Sequence, residues 1–110
     1  MSLTIKGSTS IMQEKCECYF CHKTNGLEQH HAIPGTGNRK LCDEFGLWVY
    51  LCPVHHREVH DKCQDKYRFL QAQAQRDFIR EQRKKGFTEN IAREVWYSRF
   101  LKYYDTEDGK

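Results

Sequence analysis

Long apolar stretches are missing from this chain of 110 residues. The longest unbroken run, Leu47-Trp48-Val49-Tyr50-Leu51-Cys52, is far too short to span a bilayer. The first fourteen residues lack the apolar core of a signal peptide. Apolar residues reach only 38%, charged residues make up 30%, and the mean hydropathy of −0.87 leaves no room for a large dry core. A strong charge of one sign is missing too, since the net charge is +3. No internal repeat is present. These shortages predict one small domain, neither membrane-embedded nor secreted, working in the cytoplasm.

What the chain does hold is six Cys and six His. Three disulfides are one way to use the cysteines, but that needs an oxidising compartment. The spacing points instead to metal. Cys18-Tyr-Phe-Cys21 and Cys52-Pro-Val-His55 each place two ligands across a tight turn, and together they supply the four donors of a tetrahedral Zn²⁺ site. Zinc in small modules contributes about 10–16 kcal/mol, as much as a whole small domain's typical stability of about 5–15 kcal/mol. Cys16 could form a rival Cys-x-Cys pair with Cys18, and Cys63 could replace His55 as fourth ligand. Free thiols in a reducing cell fit Cys16, Cys42 and Cys63 best.

The chain divides into a lead-in (1–15), a Cys/His-rich core (16–63), a helical extension (64–104) and a tail (105–110). Residues 1–63 are electrically balanced, 64–104 carry ten basic against five acidic residues, and the tail is acidic. Residues 16–26 read as a metal knuckle with a turn at Asn25-Gly26. Leu27–Ile33 and Leu47–Leu51 read as strands. The Pro and Gly content of Pro34–Lys40 reads as a loop, with Cys42 in a loop as well. Pro53 suits the first turn of a helix continuing through His55–Lys62. Asp65–Lys85 reads as a longer helix, with Tyr67, Leu70, Ala74 and Phe78 forming one apolar stripe and Arg76, Arg80, Arg83 and Lys84 largely opposite. Phe69 and Ile79 spoil a clean split. Gly86 is a candidate C-cap, and Thr88 a candidate N-cap for a last helix with Ile91, Val95, Trp96 and Phe100.

His30-His31 ends the first strand, and His56 and His60, one turn apart, share a face of the short helix. The pattern Cys18-x2-Cys21, His30-His31-x2-Pro34 and Leu51-Cys52-x2-His55-His56-x3-His60 resembles the HNH endonuclease family. It covers about residues 16–61, about 40% of the chain. Within that family it looks most like short phage nucleases, including Ref-type recombination nucleases that act with RecA. The resemblance implies an α+β fold: a small ββα-metal (His-Me finger) core with a treble-clef-like zinc knuckle, followed by C-terminal helices. It implies DNA and a RecA-type recombinase as partners, and a phage or prophage source. By position, Cys18, Cys21, Cys52 and His55 match the zinc ligands, His30, His56 and His60 the ligands of a catalytic cation, and His31 the general base. Two positions depart from the pattern. His55 stands where a fourth Cys is commoner. The family's middle Asn would fall at Leu47, so Asn38 is the candidate substitute.

Such chemistry suits these residue types. A divalent cation stabilises the leaving 3′ oxygen of an anionic phosphodiester, and an unperturbed imidazole can take a proton from water near neutral pH. The cation is expected to be Mg²⁺, Mn²⁺ or Zn²⁺; three imidazoles favour the softer ions. Arg39, Lys40 and Arg57 are candidate phosphate contacts, and Arg76, Arg80, Arg83 and Lys84 candidate backbone contacts. Blander accounts stand beside these. The basic face can be merely solvated, Trp48 and Tyr50 can serve the core rather than stack on bases, and Asp61 can simply cap a helix. The alternative to an endonuclease is a non-catalytic zinc module that binds nucleic acid or protein.

Overall fold

Alternating β-formers with a Gly on their N-terminal side dictate a short strand at Trp48–Leu51, and it is the pivot of the molecule. The computed structural model describes residues 10–61 and 64–104. Its elements run β1 (Glu28–His31), α1 (Thr36–Phe45), β2 (Trp48–Leu51), α2 (Pro53–His60), α3 (Gln64–Lys84) and α4 (Glu89–Phe100). The fold is α+β: a two-stranded antiparallel sheet carries helices on its flank. The expected residues 1–9, Lys62, Cys63 and the tail lie outside the described residues.

The sheet register pairs Glu28 with Leu51, His30 with Val49 and His31 with Trp48. Side chains alternate faces along a strand, so Glu28, His30, Val49 and Leu51 share one face. Val49 and Leu51 are fully buried there; Trp48 and Tyr50, on the other face, are half-buried and meet edge to face at 5.3 Å. The lead-in crosses the far side of β2. Ser10 Oγ donates to the Trp48 carbonyl at 2.6 Å, and Tyr50 N–H donates to Gln13 Oε1 at 2.9 Å.

One expectation fails here. Pro34–Lys40 is a loop only as far as Gly35; Thr36–Phe45 is helix α1, and Cys42 lies buried within it. The Gly and Pro residues mark the start of the helix rather than its absence. Gly35 takes a positive φ of 113° as N-cap, and Gly46, at φ 73°, ψ 29°, closes the helix in the left-handed conformation, donating to the Cys42 carbonyl. The four-residue strands are shorter than expected, while α2 begins at Pro53 and α3 runs one residue ahead of the reading, Gln64 to Lys84.

The α3 stripe holds. Leu70, Ala74 and Phe78 are buried, Tyr67 is half-buried, and Phe69 points outward. Phe78 stacks edge-on against Phe45 of α1 at 5.2 Å and Trp96 of α4 at 5.3 Å. α4 is capped by Thr88, whose Oγ1 accepts from the Ile91 N–H at 3.2 Å. Its buried face is Ala92, Trp96 and Phe100, with Val95 beside them; Ile91 is exposed, because the i, i+4, i+8 row through Trp96 passes through Ala92. Asp61 caps α2 through its backbone N–H. No helix among the described residues is long and apolar enough to cross a membrane.

Candidate metal centres

α2 serves two sites because its neighbouring residues point about 100° apart. Cys52, its N-cap, and His55 turn toward the knuckle, while His56 and His60 turn toward β1. In the knuckle, Cys18 N–H donates to the Lys23 carbonyl at 2.7 Å and His22 N–H to the Cys18 carbonyl at 2.9 Å, a tight turn that folds Cys21 back beside Cys18.

One donor atom each from Cys18, Cys21, Cys52 and His55 lies within 4.8 Å of all the others. The Cys21 and Cys52 sulfurs are 3.8 Å apart, and His55 Nδ1 is 3.5 Å from Cys18 Sγ and 3.4 Å from Cys52 Sγ. A tetrahedral ion with bonds of about 2.3 Å to S and about 2.0 Å to N has edges of about 3.8 Å between sulfurs and about 3.5 Å between sulfur and nitrogen. The three separations above match the edges of such a site. Burial pushes the Cys18 thiol up, but the backbone amides of Cys21, Cys52 and Phe20 outweigh it and bring its pKa down to about 6, favouring the thiolate that binds metal. The five described cysteines are all free thiols; Cys16 and Cys42 belong to neither donor group, and Cys63 is outside the described residues. Burial pushes the Cys42 thiol up to about 11, keeping it inert.

The second group is His30, His56 and His60, again within 4.8 Å of one another. His30 is 7% exposed, and burial, helped by the imidazoles of His56, His60 and His31, brings its pKa down to about 4. Its ring is neutral at pH 7, as a metal ligand must be. The Nε2 atoms of His56 and His60 face each other at 3.0 Å. Bonds of about 2.0 Å give an edge of about 2.8 Å at right angles and about 3.3 Å in a tetrahedron, so this pair fits a shared ion.

These histidines line a cavity of about 340 Å³, together with His31, Pro34, Gly35 and Arg39. His31 Nε2 lies 2.8 Å from Asp43 Oδ1. With the carboxylate as acceptor, Nε2–H donates, and Nδ1 is the ring nitrogen left for other partners. His56 makes the matching arrangement: Nδ1–H donates to Glu28 Oε1 at 2.5 Å, leaving Nε2 for the ion. The family pattern contains no position for Glu28 or Asp43. The signal for Glu28 was its place two residues before His30 on the same strand face; the signal for Asp43 was hidden with α1.

The remaining candidates are distributed more widely. Asn38 lies on α1, where its amide donates to the Pro34 carbonyl at 2.8 Å and so ties down the segment that lines the cavity. Lys40 is exposed on α1 and Arg57 on α2, and neither lines the cavity. Arg76, Arg80, Arg83 and Lys84 gather on a different surface, between α3 and α4. Compared with family models, curated proteins and solved structures, the chain matches none.

Proposed function

We propose that this chain is a metal-binding module with a closed structural zinc site and an open, all-imidazole divalent-ion site. The observation that carries this reading is the convergence of two separate donor sets on one eight-residue helix, α2. The finer proposal is that the open site makes the chain a DNA endonuclease of HNH type. What supports it is the sharing of one cavity by the three ligand histidines, His31 and Arg39. A cation held there would supply charge neutralisation at the scissile phosphate and its leaving oxygen. His31, its Nε2–H fixed on Asp43, would accept a proton from the attacking water at Nδ1. Arg39 would hold a phosphate oxygen, and Asn38 would steady the Pro34–Gly35 wall. A RecA-type recombinase is the protein partner that the family pattern suggests.

A second reading, a non-catalytic module for nucleic acid or protein, is favoured by the donor sets themselves. They bind β1 and the knuckle to α2 and need no substrate to account for them. Elemental analysis with a plasmid-nicking assay separates the two. Both readings expect one tightly held zinc per chain. The hydrolytic one also expects nicking that needs added Mg²⁺ or Mn²⁺, and a His31→Ala chain that folds and keeps its zinc while losing about 10²–10⁴ in rate. Nicking at equal rate by that variant leaves only the non-catalytic module.

A further inference from the structure

The metal sites make no use of the groove between α3 and α4. It offers about 560 Å³ open to solvent, and its walls carry five cations, Arg76, Arg80, Arg83 and Lys84 from α3 and Arg93 from α4, against one lining carboxylate, Glu89; Glu81, beside the groove, pairs with Lys84 at 3.2 Å and lies 3.6 Å from Arg80. Ile79, only 7% exposed, forms an apolar floor. The α3 cations recur at i, i+4, i+7 and i+8, which keeps them on one face of the helix.

The cations are held in place rather than free to disperse. Arg80 donates to the buried Asp77 carboxylate at 2.7 Å and to the Ile11 carbonyl at 3.0 Å. Arg93 lies over the Tyr103 ring at 4.6 Å. A guanidinium already fixed loses less entropy when a ligand arrives. Arg83 stands 3.7 Å from Glu89, an exposed pair that an incoming anion can displace.

Shape and chemistry select the occupant. Arg76 to Arg83 spans about 10 Å of helix axis, over which one strand of a duplex presents about three phosphates. Four of the five cations are guanidiniums, whose forked donors match phosphate oxygens in pairs. None of the lining residues is aromatic, so there is no platform for unstacked bases. We infer that the α3–α4 groove binds the phosphate backbone of a nucleic-acid duplex, at a site separate from the histidine cavity. It acts whether or not that cavity cleaves.

The test is fluorescence anisotropy of the full, zinc-loaded chain with no second divalent ion added. The probes are a short labelled DNA duplex, the RNA duplex of the same sequence, and a labelled polyglutamate peptide. Duplex affinity should fall steeply between about 50 and about 200 mM salt. Arg76→Gln with Arg83→Gln should weaken duplex binding about tenfold or more and flatten the log–log salt slope by about 2. Glu89→Gln removes the groove's carboxylate and should tighten binding, a gain that a damaged fold would not produce. The tighter of the two duplexes identifies the source of the backbone. The inference is overturned by an unchanged affinity and slope in the double variant, by no tightening in Glu89→Gln, or by stronger binding of polyglutamate than of either duplex. A chain that binds but never nicks ends the hydrolytic reading alone; one that nicks while ignoring the groove substitutions ends this inference alone.

Discussion

A histidine gives an ion only one of its two nitrogens, and whatever holds the other nitrogen decides where the ring points. Glu28 does this for His56, across 2.5 Å, from the strand face that also carries His30. Replacing it with Gln removes the charge from that hydrogen bond while preserving its length and shape. Glu28→Gln should therefore weaken divalent-ion binding at the imidazole site about 10–100-fold, read by calorimetry, and leave the zinc content unchanged. Equal affinity in variant and parent would show that the carboxylate does not orient the ligand. His30 makes a pH prediction. Its pKa falls from an ordinary 6.5 to about 4 in the fold, chiefly through burial. Between those values the unfolded chain holds more protons than the folded one. Stability from this residue is thus complete above about pH 6.5 and lost as pH drops toward about 4, a change on the order of 3 kcal/mol. Urea unfolding of the chain without added divalent ion, at pH 7 and pH 5, should show a larger loss for the parent than for His30→Ala.

At the scale of elements, α1 shows what the sequence hides. The dense Pro34-Gly35-Thr36-Gly37-Asn38 stretch carries turn chemistry, yet only its first two residues lie outside the helix. The helical signal was present further on, in Leu41, Cys42 and Phe45, an i, i+1, i+4 set facing the core and followed by Gly46. Gly37, early in the helix, masked it. The two glycines should answer substitution with opposite signs. A Cβ on Gly37 meets nothing within 4 Å, and its φ is not positive, so Gly37→Ala should stabilise by about 0.4–1 kcal/mol. Gly46 sits at φ 73° and is buried, so Gly46→Ala should destabilise by about 1 kcal/mol or more. Thermal melts of the two variants check the pair. The strands, α2, α3 and α4 were legible because pairing, capping and stripe signals agree there. The two donor sets were legible too, since Cys-x2-Cys, Cys-x2-His and the one-turn His pair are local spacings. Asp43 and Glu28 were not: Asp43 sits on the helix hidden behind turn residues, and the place of Glu28 two residues before His30 does not single out His56, on another element, as its partner.

On the scale of the whole molecule, the proposed zinc site raises the question of whether an ion there would hold a local knuckle or the entire chain. The buried residues decide it. Cys18 and Cys52 of the zinc site belong to the same continuous core as Ile33, Val49, Val59, Phe78 and Trp96. Phe78 touches both Phe45 and Trp96, and Arg80 reaches back to the Ile11 carbonyl. The α3–α4 pair thus shares one apolar core with the half that carries the Cys/His donors. Ion binding of about 10–16 kcal/mol equals or exceeds a small domain's typical net stability of about 5–15 kcal/mol. Stripping zinc with a strong chelator should therefore unfold the helices along with the knuckle. Far-UV helicity and, in a Trp48→Phe chain whose one indole is Trp96, the buried-indole fluorescence should fall together in one transition and return together when zinc is restored. If α3 and α4 keep their helicity and Trp96 stays buried after the zinc has gone, the helical half stands on its own core and the metal is a local brace.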